Sequence, residues 1–318
     1  VDAVIQMLAN VKLKTSILEH LEEDEKILIT GASGWLGRET IALLAEIFGD
    51  QFSNKVILAG STSKLIKVNK TDYSVIAVDS ITLTKLKFGI ILHLAFLSQD
   101  KVDQIGAEKY IHVNEELTHS IFQITLMTGA KYVFVASSGA AAAHILEDQK
   151  HAGKKLYGEL KLKAENRFLA LNSAHVLIGR IWNISGNQIQ EPLKYAIGNF
   201  IHQAINAGTI TLVGSAHSTR TYIDAKQMMT GYILQLLTSK DNLLHSGGAT
   251  TELSGLAKRV LLKYNPSGLL VLSVQQNQLP DYYVSPDYKM VEILNRCSVE
   301  HLNLDEQIEN TGQSIAFS

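Results

Sequence analysis

Cysteine is nearly missing from this chain. Cys297 is the only one in 318 residues, which excludes an internal disulfide framework and a cysteine-built zinc cluster, and fits a reducing, cytoplasmic compartment. Proline is scarce as well: Pro192, Pro266, Pro280 and Pro286 are all there is, and they mark the less regular later part of the chain. No hydrophobic run is long. The best, GIILHLAFL at 89–97, falls well short of the roughly 20 residues a membrane-spanning helix needs, and the first residues do not read as a signal peptide. A charge excess is also absent. Twenty-nine basic and 31 acidic side chains are interspersed to a net charge of -2, so neither nucleic acid nor a membrane surface is an expected partner, and a small molecule is. The eleven histidines form no HExxH or paired ligand spacing, so no metal is expected, and His93 reads as a satisfied interior residue.

What is present is enough apolar material, 46% of the residues, for one large α/β domain carrying a smaller lobe. Residues 1–25 read as an amphipathic helical extension with Val4, Ile5, Leu8, Val11, Ile17, Leu18 and Leu21 apolar, ending in EEDE. Short apolar strands then alternate with helical patterns: KILIT, a helix over 36–48, KVILAG, YSVIAVD, GIILHLA, a helix over 107–127, KYVFVAS, a helix over 157–171 and HVLIGRIWN. That rhythm predicts a doubly wound parallel sheet covered on both faces. Only 12 residues separate Gly60 from Tyr73, too few for a full crossover helix, so a loop or single turn is expected there. The resulting division is an extension at 1–25, a doubly wound α/β domain at 26–180 and a smaller lobe at 181–318, of which 219–245 returns to the first domain. In that lobe the pattern gives a helix over 192–207, a short strand TITLVG, the segment TRTYID and a helix to 237.

Three motifs carry chemistry. In TGASGWLG at 30–37, Gly31, Gly34 and Gly37 stand where a strand hands over to a helix. Free N–H groups and the helix dipole there favour an anion, and glycines let a pyrophosphate approach the backbone. A close-packed structural turn would use glycines too. In YGELK, Tyr157 and Lys161 share a helix face at i, i+4. An ammonium beside a phenol would lower its pKa and let it exchange a proton with a substrate oxygen. In FVASSGA, Ser137 and Ser138 close a buried strand at the carboxyl edge of the sheet, where ligands of such folds bind.

Glycine loop, strand-end serine and YxxxK, in that order, resemble the extended short-chain dehydrogenase/reductase family of NAD(P)-dependent sugar epimerases, dehydratases and reductases. TGASGWLG resembles its TGxxGxxG pattern, HLAF at 93–96 its HLAA-type segment with Asn114 in the helix after it, and RIWNISG at 180–186 its RxxNxxG segment. TRTYID at 219–224 resembles the R-x-[FY]-[IV] segment. The resemblance implies a dinucleotide-binding Rossmann domain at 26–180 with a mainly substrate-binding lobe at 181–318, and Ser138, Tyr157 and Lys161 as catalytic residues. It also implies a cofactor cleft of Gly31, Ser33, Gly34, Trp35, Leu36, Gly37, Ser61, Thr62, Lys64, Asp79, Ser80, Leu94, Ala95 and Ile181 together with Tyr157 and Lys161. Asn183 and Arg220 would join Ser138 in holding a nucleotide-activated sugar, Arg220 at its diphosphate; a surface ion pair is the plainer role for that arginine. Two departures stand out. Ala142 and Ala143 replace the usual tyrosine-glycine pair, and Asp224 and Gln227 occupy shifted slots where an aspartate pair is expected. A third, Gly139 and Ala140 after Ser138, argues against a 4,6-dehydratase.

The expected function is therefore reduction of a nucleotide-linked 4-keto sugar. A nucleotide-sugar 4-epimerase with bound NAD and a non-catalytic dinucleotide-sensing protein are the alternatives. After KVILAG comes STSK, with hydroxyls at Ser61, Thr62 and Ser63, a charge at Lys64 and no carboxylate before Asp72. That favours NADP over NAD, because an acidic residue at this strand end would repel a 2'-phosphate. Apolar residues beyond one core stripe, including Ile111, Phe122, Leu162 and Leu169 on the helices at 107–127 and 157–171, point with the resemblance to a homodimer.

Overall fold

The computed structural model describes residues 2–82, 85–142, 152–273 and 280–315. Ala143 lies outside the described residues, as do the side chains of Val4 and Ile5. The central sheet has eight strands in the order β11-β7-β6-β5-β1-β2-β4-β3. In chain order these are β1 (Glu25–Thr30), β2 (Val56–Gly60), β3 (Lys64–Val68), β4 (Thr71–Ala77), β5 (Lys87–His93), β6 (Tyr132–Ser138), β7 (His175–Ile181) and β11 (Leu243–His245). All neighbours pair parallel except β3 with β4.

The inner strands are apolar at consecutive positions because both faces are covered. Ile27, Ile29, Ile90, Leu92, Phe134 and Leu177 enter one core, packed beneath α1 (Asp2–Glu19), α2 (Trp35–Phe48) and α6 (Ala225–Thr238). Leu28, Ile91, Val133, Val135, Val176 and Ile178, one residue out of step, enter the other. That second face is covered by α3 (Ala107–Thr128) and α4 (Ala152–Leu169), through Ile121, Ile124 and Phe168. The α/β doubly wound architecture agrees with the expectation from the sequence.

Residues 61–73 do not form a loop. They hold β3 and most of an antiparallel hairpin whose turn residues, Asn69 and Lys70, have φ of 47° and 70°, the positive values that two-residue hairpin turns require. Strand β3 itself carries the chain back to the sheet's starting edge, so β4 runs parallel to β2 without a helix. Lys64 accordingly belongs to a strand rather than a polar turn. The expected strand HVLIGRIWN divides at Trp182 into β7 and β8 (Asn183–Ser185). The expected helix at 192 begins as a single tight turn, Pro192–Lys194, and α5 starts at Ala196.

The later part is more regular than its prolines suggest. It contains α5 (Ala196–Ala207), β9 (Thr209–Val213), β10 (Thr219–Asp224), β12 (Ala249–Glu252), α7 (Leu253–Tyr264), β13 (Leu269–Ser273), β14 (Tyr282–Tyr283), α8 (Lys289–Arg296) and α9 (Leu304–Ile315). Strand β10 is the centre of a small sheet with β8, β12 and β14, while α5, α7 and α9 enclose a second core around Ile197, Phe200, Leu256, Val260 and Ile308.

The two parts meet at a buried polar junction. Asp224 caps α6 by accepting the Gln227 N–H at 3.1 Å and accepts from Asn310 on α9 at 2.7 Å, which explains why this aspartate follows YI directly. Glu39 of α2 accepts from the Trp35 indole at 3.2 Å and the Gln188 N–H at 2.8 Å, both through Oε1. Burial, and then the nearby Asp224, push its carboxyl up to about 8. Helix α9 closes the junction: Gln307 bonds Ser185 at 2.9 Å, and the Thr311 hydroxyl accepts the Gly186 N–H at 3.0 Å.

Candidate active site

The three loop glycines have different neighbours. A Cβ on Gly31, where φ is +70°, would lie 2.7 Å from the Ala95 backbone, and one on Gly37 would lie 2.3 Å from the Gly31 carbonyl. Those two glycines let protein backbone approach protein backbone. Gly34 alone has room, with its nearest atom at 3.4 Å. It is the N-cap of α2 and supplies no side-chain cap, and the first turn carries no acidic residue, so the helix N-terminus offers its free N–H groups to an anion.

Two adjoining cavities share Gly31, Ser33, Gly34, Leu94 and Phe96. The larger, about 490 Å³, adds Trp35, Leu36, Gly37, Ser137, Ser138, Tyr157, Lys161, Ile181, Trp182, Ile184 and Tyr195. The smaller, about 210 Å³, adds Gly60, Ser61, Val78 and Ala95, with no carboxylate in its wall. The two meet at the glycine loop, an arrangement and donor set that fit a dinucleotide with its pyrophosphate over Gly34.

Ser138 ends β6 and Tyr157 and Lys161 project from α4, so the three candidate catalytic side chains line one cavity. Their electrostatics differ from the expectation. Lys161 is buried, donates to the Ala136 carbonyl at 2.7 Å and lies 3.8 Å from the centre of the Phe96 ring. Burial brings its ammonium down to about 7, although the Glu165 carboxylate one turn along α4 supports the charge. Tyr157 is not held down by this lysine, whose Nζ is 5.7 Å from its ring centre. Desolvation and the neighbouring Tyr283 phenol push Tyr157 upward, and a hydrogen bond to Ser138 pulls it back. The phenol therefore keeps its proton through neutral pH, poised to donate it.

Behind this wall, Ser137 donates to Glu165 at 2.5 Å and Arg180 donates to both Glu165 oxygens at 3.0 and 2.7 Å. That buried bidentate pair fixes the underside of α4 against β6 and β7. His93 shares a 2.8 Å hydrogen bond with Thr30; burial, then Lys161, bring it down to about 3, so it is neutral. Asn114 accepts the Leu97 N–H at 2.8 Å and so shapes the loop after β5. Trp35 packs edge-on against Tyr195, ring centres 4.8 Å apart, and belongs both to the cavity wall and to the second core.

Other residues expected at the site stand outside these cavity walls. Asn183 donates to the Thr221 carbonyl at 3.0 Å, and it is Trp182 and Ile184 on either side of it that line the cavity. Arg220 is engaged by Asp281, at 2.8 Å to its carboxylate and 2.9 Å to its carbonyl, the ion-pair role. Thr62, Lys64 and Asp79 are exposed near the smaller cavity without lining it, and the Ser80 hydroxyl is spent on the Ala77 carbonyl at 2.5 Å.

Residues 27–246 match the sequence model of the NAD dependent epimerase/dehydratase family. The chain belongs to this family. As a member it is an NAD(P)-dependent enzyme of the extended short-chain dehydrogenase/reductase type. No curated protein sequence matches it. Among solved structures, it is similar in fold to TunA, a NAD-dependent NDP-hexosamine 5,6-dehydratase of tunicamycin biosynthesis (TM-score 0.71, 12% identity, 92% of this chain and 98% of that one). It is also similar to a UDP-N-acetylglucosamine 4-epimerase from Methanobrevibacter ruminantium (0.71, 16%, 93% and 99%) and to a dTDP-glucose 4,6-dehydratase from Streptomyces venezuelae with NAD bound (0.67, 17%, 92% and 97%). At such identities the likeness is one of fold.

In this epimerase/dehydratase family member several site residues escape a reading of the sequence. Phe96 stands where the HLAA-type segment has alanine, a signal visible in HLAF. Glu165 lies four residues beyond Lys161, a spacing that places them on one face. Tyr283, whose hydroxyl is 2.9 Å from Ser138 Oγ, gives no local signal at all. Among the described residues no helix is long and apolar enough to cross a membrane, and no group of three His, Cys, Asp or Glu could hold a metal.

Proposed function

We propose that this enzyme reduces the 4-keto group of a nucleotide-activated sugar with NADPH. The observation that carries the reading is one cavity wall bearing Ser138, Tyr157 with its proton retained, and Lys161, continuous with the glycine loop. A bound reduced nicotinamide supplies the hydride. Ser138 donates a hydrogen bond to the carbonyl oxygen, which orients and polarises it. Tyr157 gives its proton to that oxygen as charge develops, the work of a general acid. Lys161, held against Ala136 and Phe96, contributes a positive charge beneath the phenol and a donor for ribose hydroxyls. Trp35, Trp182 and Tyr195 give the cavity an aromatic wall.

The preference for NADP is supported by the smaller cavity, where Gly60 and Ser61 stand at the end of β2 and no carboxylate opposes a 2'-phosphate. A homodimer is supported by α3 and α4, which leave Leu126, Met127 and Leu169 exposed and carry between them a cavity of about 470 Å³ lined by Thr118, Leu160 and Ala164. The test is incubation with NADPH and a nucleotide-linked 4-keto-6-deoxyhexose. One NADPH oxidised per sugar reduced is expected. Interconversion of a sugar nucleotide without net cofactor oxidation would replace the reductase by a 4-epimerase, and tighter binding of NADH than NADPH would overturn the cofactor assignment.

A further inference from the structure

Ser138 is held from a direction that the family pattern does not involve. The Tyr283 hydroxyl, from β14 and 145 residues further along the chain, lies 2.9 Å from Ser138 Oγ, and the Ala140 N–H donates to the same oxygen at 3.2 Å. Tyr283 is itself fixed on several sides. Its ring packs on Trp182 with centres 4.6 Å apart, and the Lys154 ammonium sits 4.8 Å from its own centre. Strand β14 pairs with β10 so that Tyr283 is opposite Arg220, and Arg220 grips Asp281 two residues before. The residue is buried and lies beside the cavity rather than in its wall.

A serine hydroxyl has one hydrogen and two lone pairs. The Ala140 amide can only donate, so it takes one lone pair. Either hydroxyl can donate across the 2.9 Å contact, and a hydrogen from Tyr283 would take the second. Ser138 is then left with its own hydrogen as its only remaining capacity, and Tyr157 lines the same cavity. We propose that Tyr283 is a positioning residue: by donating to Ser138 Oγ it locks Ser138 as a donor toward the Tyr157 oxygen and the substrate oxygen beside it. The assignment rests on the proposed roles of Ser138 and Tyr157. It gives the Arg220–Asp281 pair a purpose as well, since that pair sets the register that brings Tyr283 to Ser138.

The test needs no substrate. A fluorotyrosine, more acidic than tyrosine, is placed at position 157 and its ionisation followed by fluorine NMR. Tyr283→Phe keeps the ring on Trp182 and removes only the hydroxyl, and its titration midpoint should rise by about 0.5 to 1 pH unit as a donor to the phenolate is lost. Ser138→Ala should raise the midpoint too, and Tyr283→Phe should then add nothing, because its effect passes through Ser138. An unchanged midpoint in Tyr283→Phe, or an equal shift with and without Ser138, overturns the proposal. If the midpoints behave as expected while the wild-type enzyme fails to oxidise NADPH with the 4-keto probe, the reductase reading falls and the positioning role stands.

Discussion

At the scale of single residues, the proposed chemistry rests on a phenol that holds its proton and a lysine that holds its charge weakly. Tyr157→Phe should leave NADPH binding within a few-fold and lower turnover by about 100-fold or more, the usual scale of a general acid, as read in steady-state assays with fluorescence titration of the cofactor. Lys161 makes a second prediction through pH. Its ammonium is brought down to about 7 from the 10.5 of a free lysine, so between those values the unfolded chain binds more protons than the folded one, and stability rises with pH. Below about pH 7 the full penalty of burying the charge applies. Lys161→Met should therefore be more stable than the wild type by about 1 to 3 kcal/mol at pH 6, with the gain fading toward pH 10, while cofactor affinity falls; urea melts at both pH values check it. Gly34, Ser138, Tyr157 and Lys161 are legible in the sequence because their order and spacing are local. Phe96 against Lys161 and Tyr283 against Ser138 are not, because each pair is joined through space by packing that no short pattern records. The expected lowering of the tyrosine pKa by the lysine fails for a similar reason: spacing puts both on one helix face, but burial, which spacing does not reveal, sets both titrations.

At the scale of elements, the strand-loop-helix unit at β1 and α2 carries two separate demands. Gly37→Ala should unseat the loop, since its Cβ would meet the Gly31 carbonyl at 2.3 Å, and should lower thermal stability as well as cofactor binding. Gly34→Ala should melt close to the wild type and lose cofactor affinity by tenfold or more, because the only space it fills is that left for a ligand; thermal melts and NADPH titration separate the two cases. Helix α2 also carries Glu39. With its carboxyl raised to about 8 from 4.5, the folded protein binds the extra proton across that window, so its contribution is fully present below pH 4.5 and is lost as pH rises through 8. Glu39→Gln keeps the acceptor for Trp35 and Gln188 and turns an amide toward Asp224. It should match the wild type near pH 4.5 and exceed it by about 1 to 3 kcal/mol above pH 8, read from denaturant midpoints. The strands and long helices were open to sequence reasoning through their apolar periodicity. The β3–β4 hairpin was hidden because its turn is Asn-Lys rather than a glycine pair, and α7 and α8 because Pro266, Pro280 and Pro286 crowd the stretch between them and mask the periodicity on either side.

At the scale of the whole molecule, the proposed dimer predicts that light scattering at micromolar concentration gives about twice the 35.0 kDa of one chain, and that charge introduced by Leu126→Glu and Leu169→Glu shifts the population toward monomer. A strictly monomeric wild type would contradict it. The last described helix, α9, extends the same question to the order of assembly. Its Gln307, Asn310 and Thr311 reach back across 122, 86 and 125 residues to Ser185, Asp224 and Gly186. As the chain emerges from the ribosome, the strands up to β7 are made before α6 and α8, which complete one of their cores, and the polar groups around Ser185 and Asp224 still lack theirs. Tyr283 arrives in the same late interval. The contact between Ser138 and Tyr283, like the ties of α9, therefore forms only after nearly the whole chain has been made.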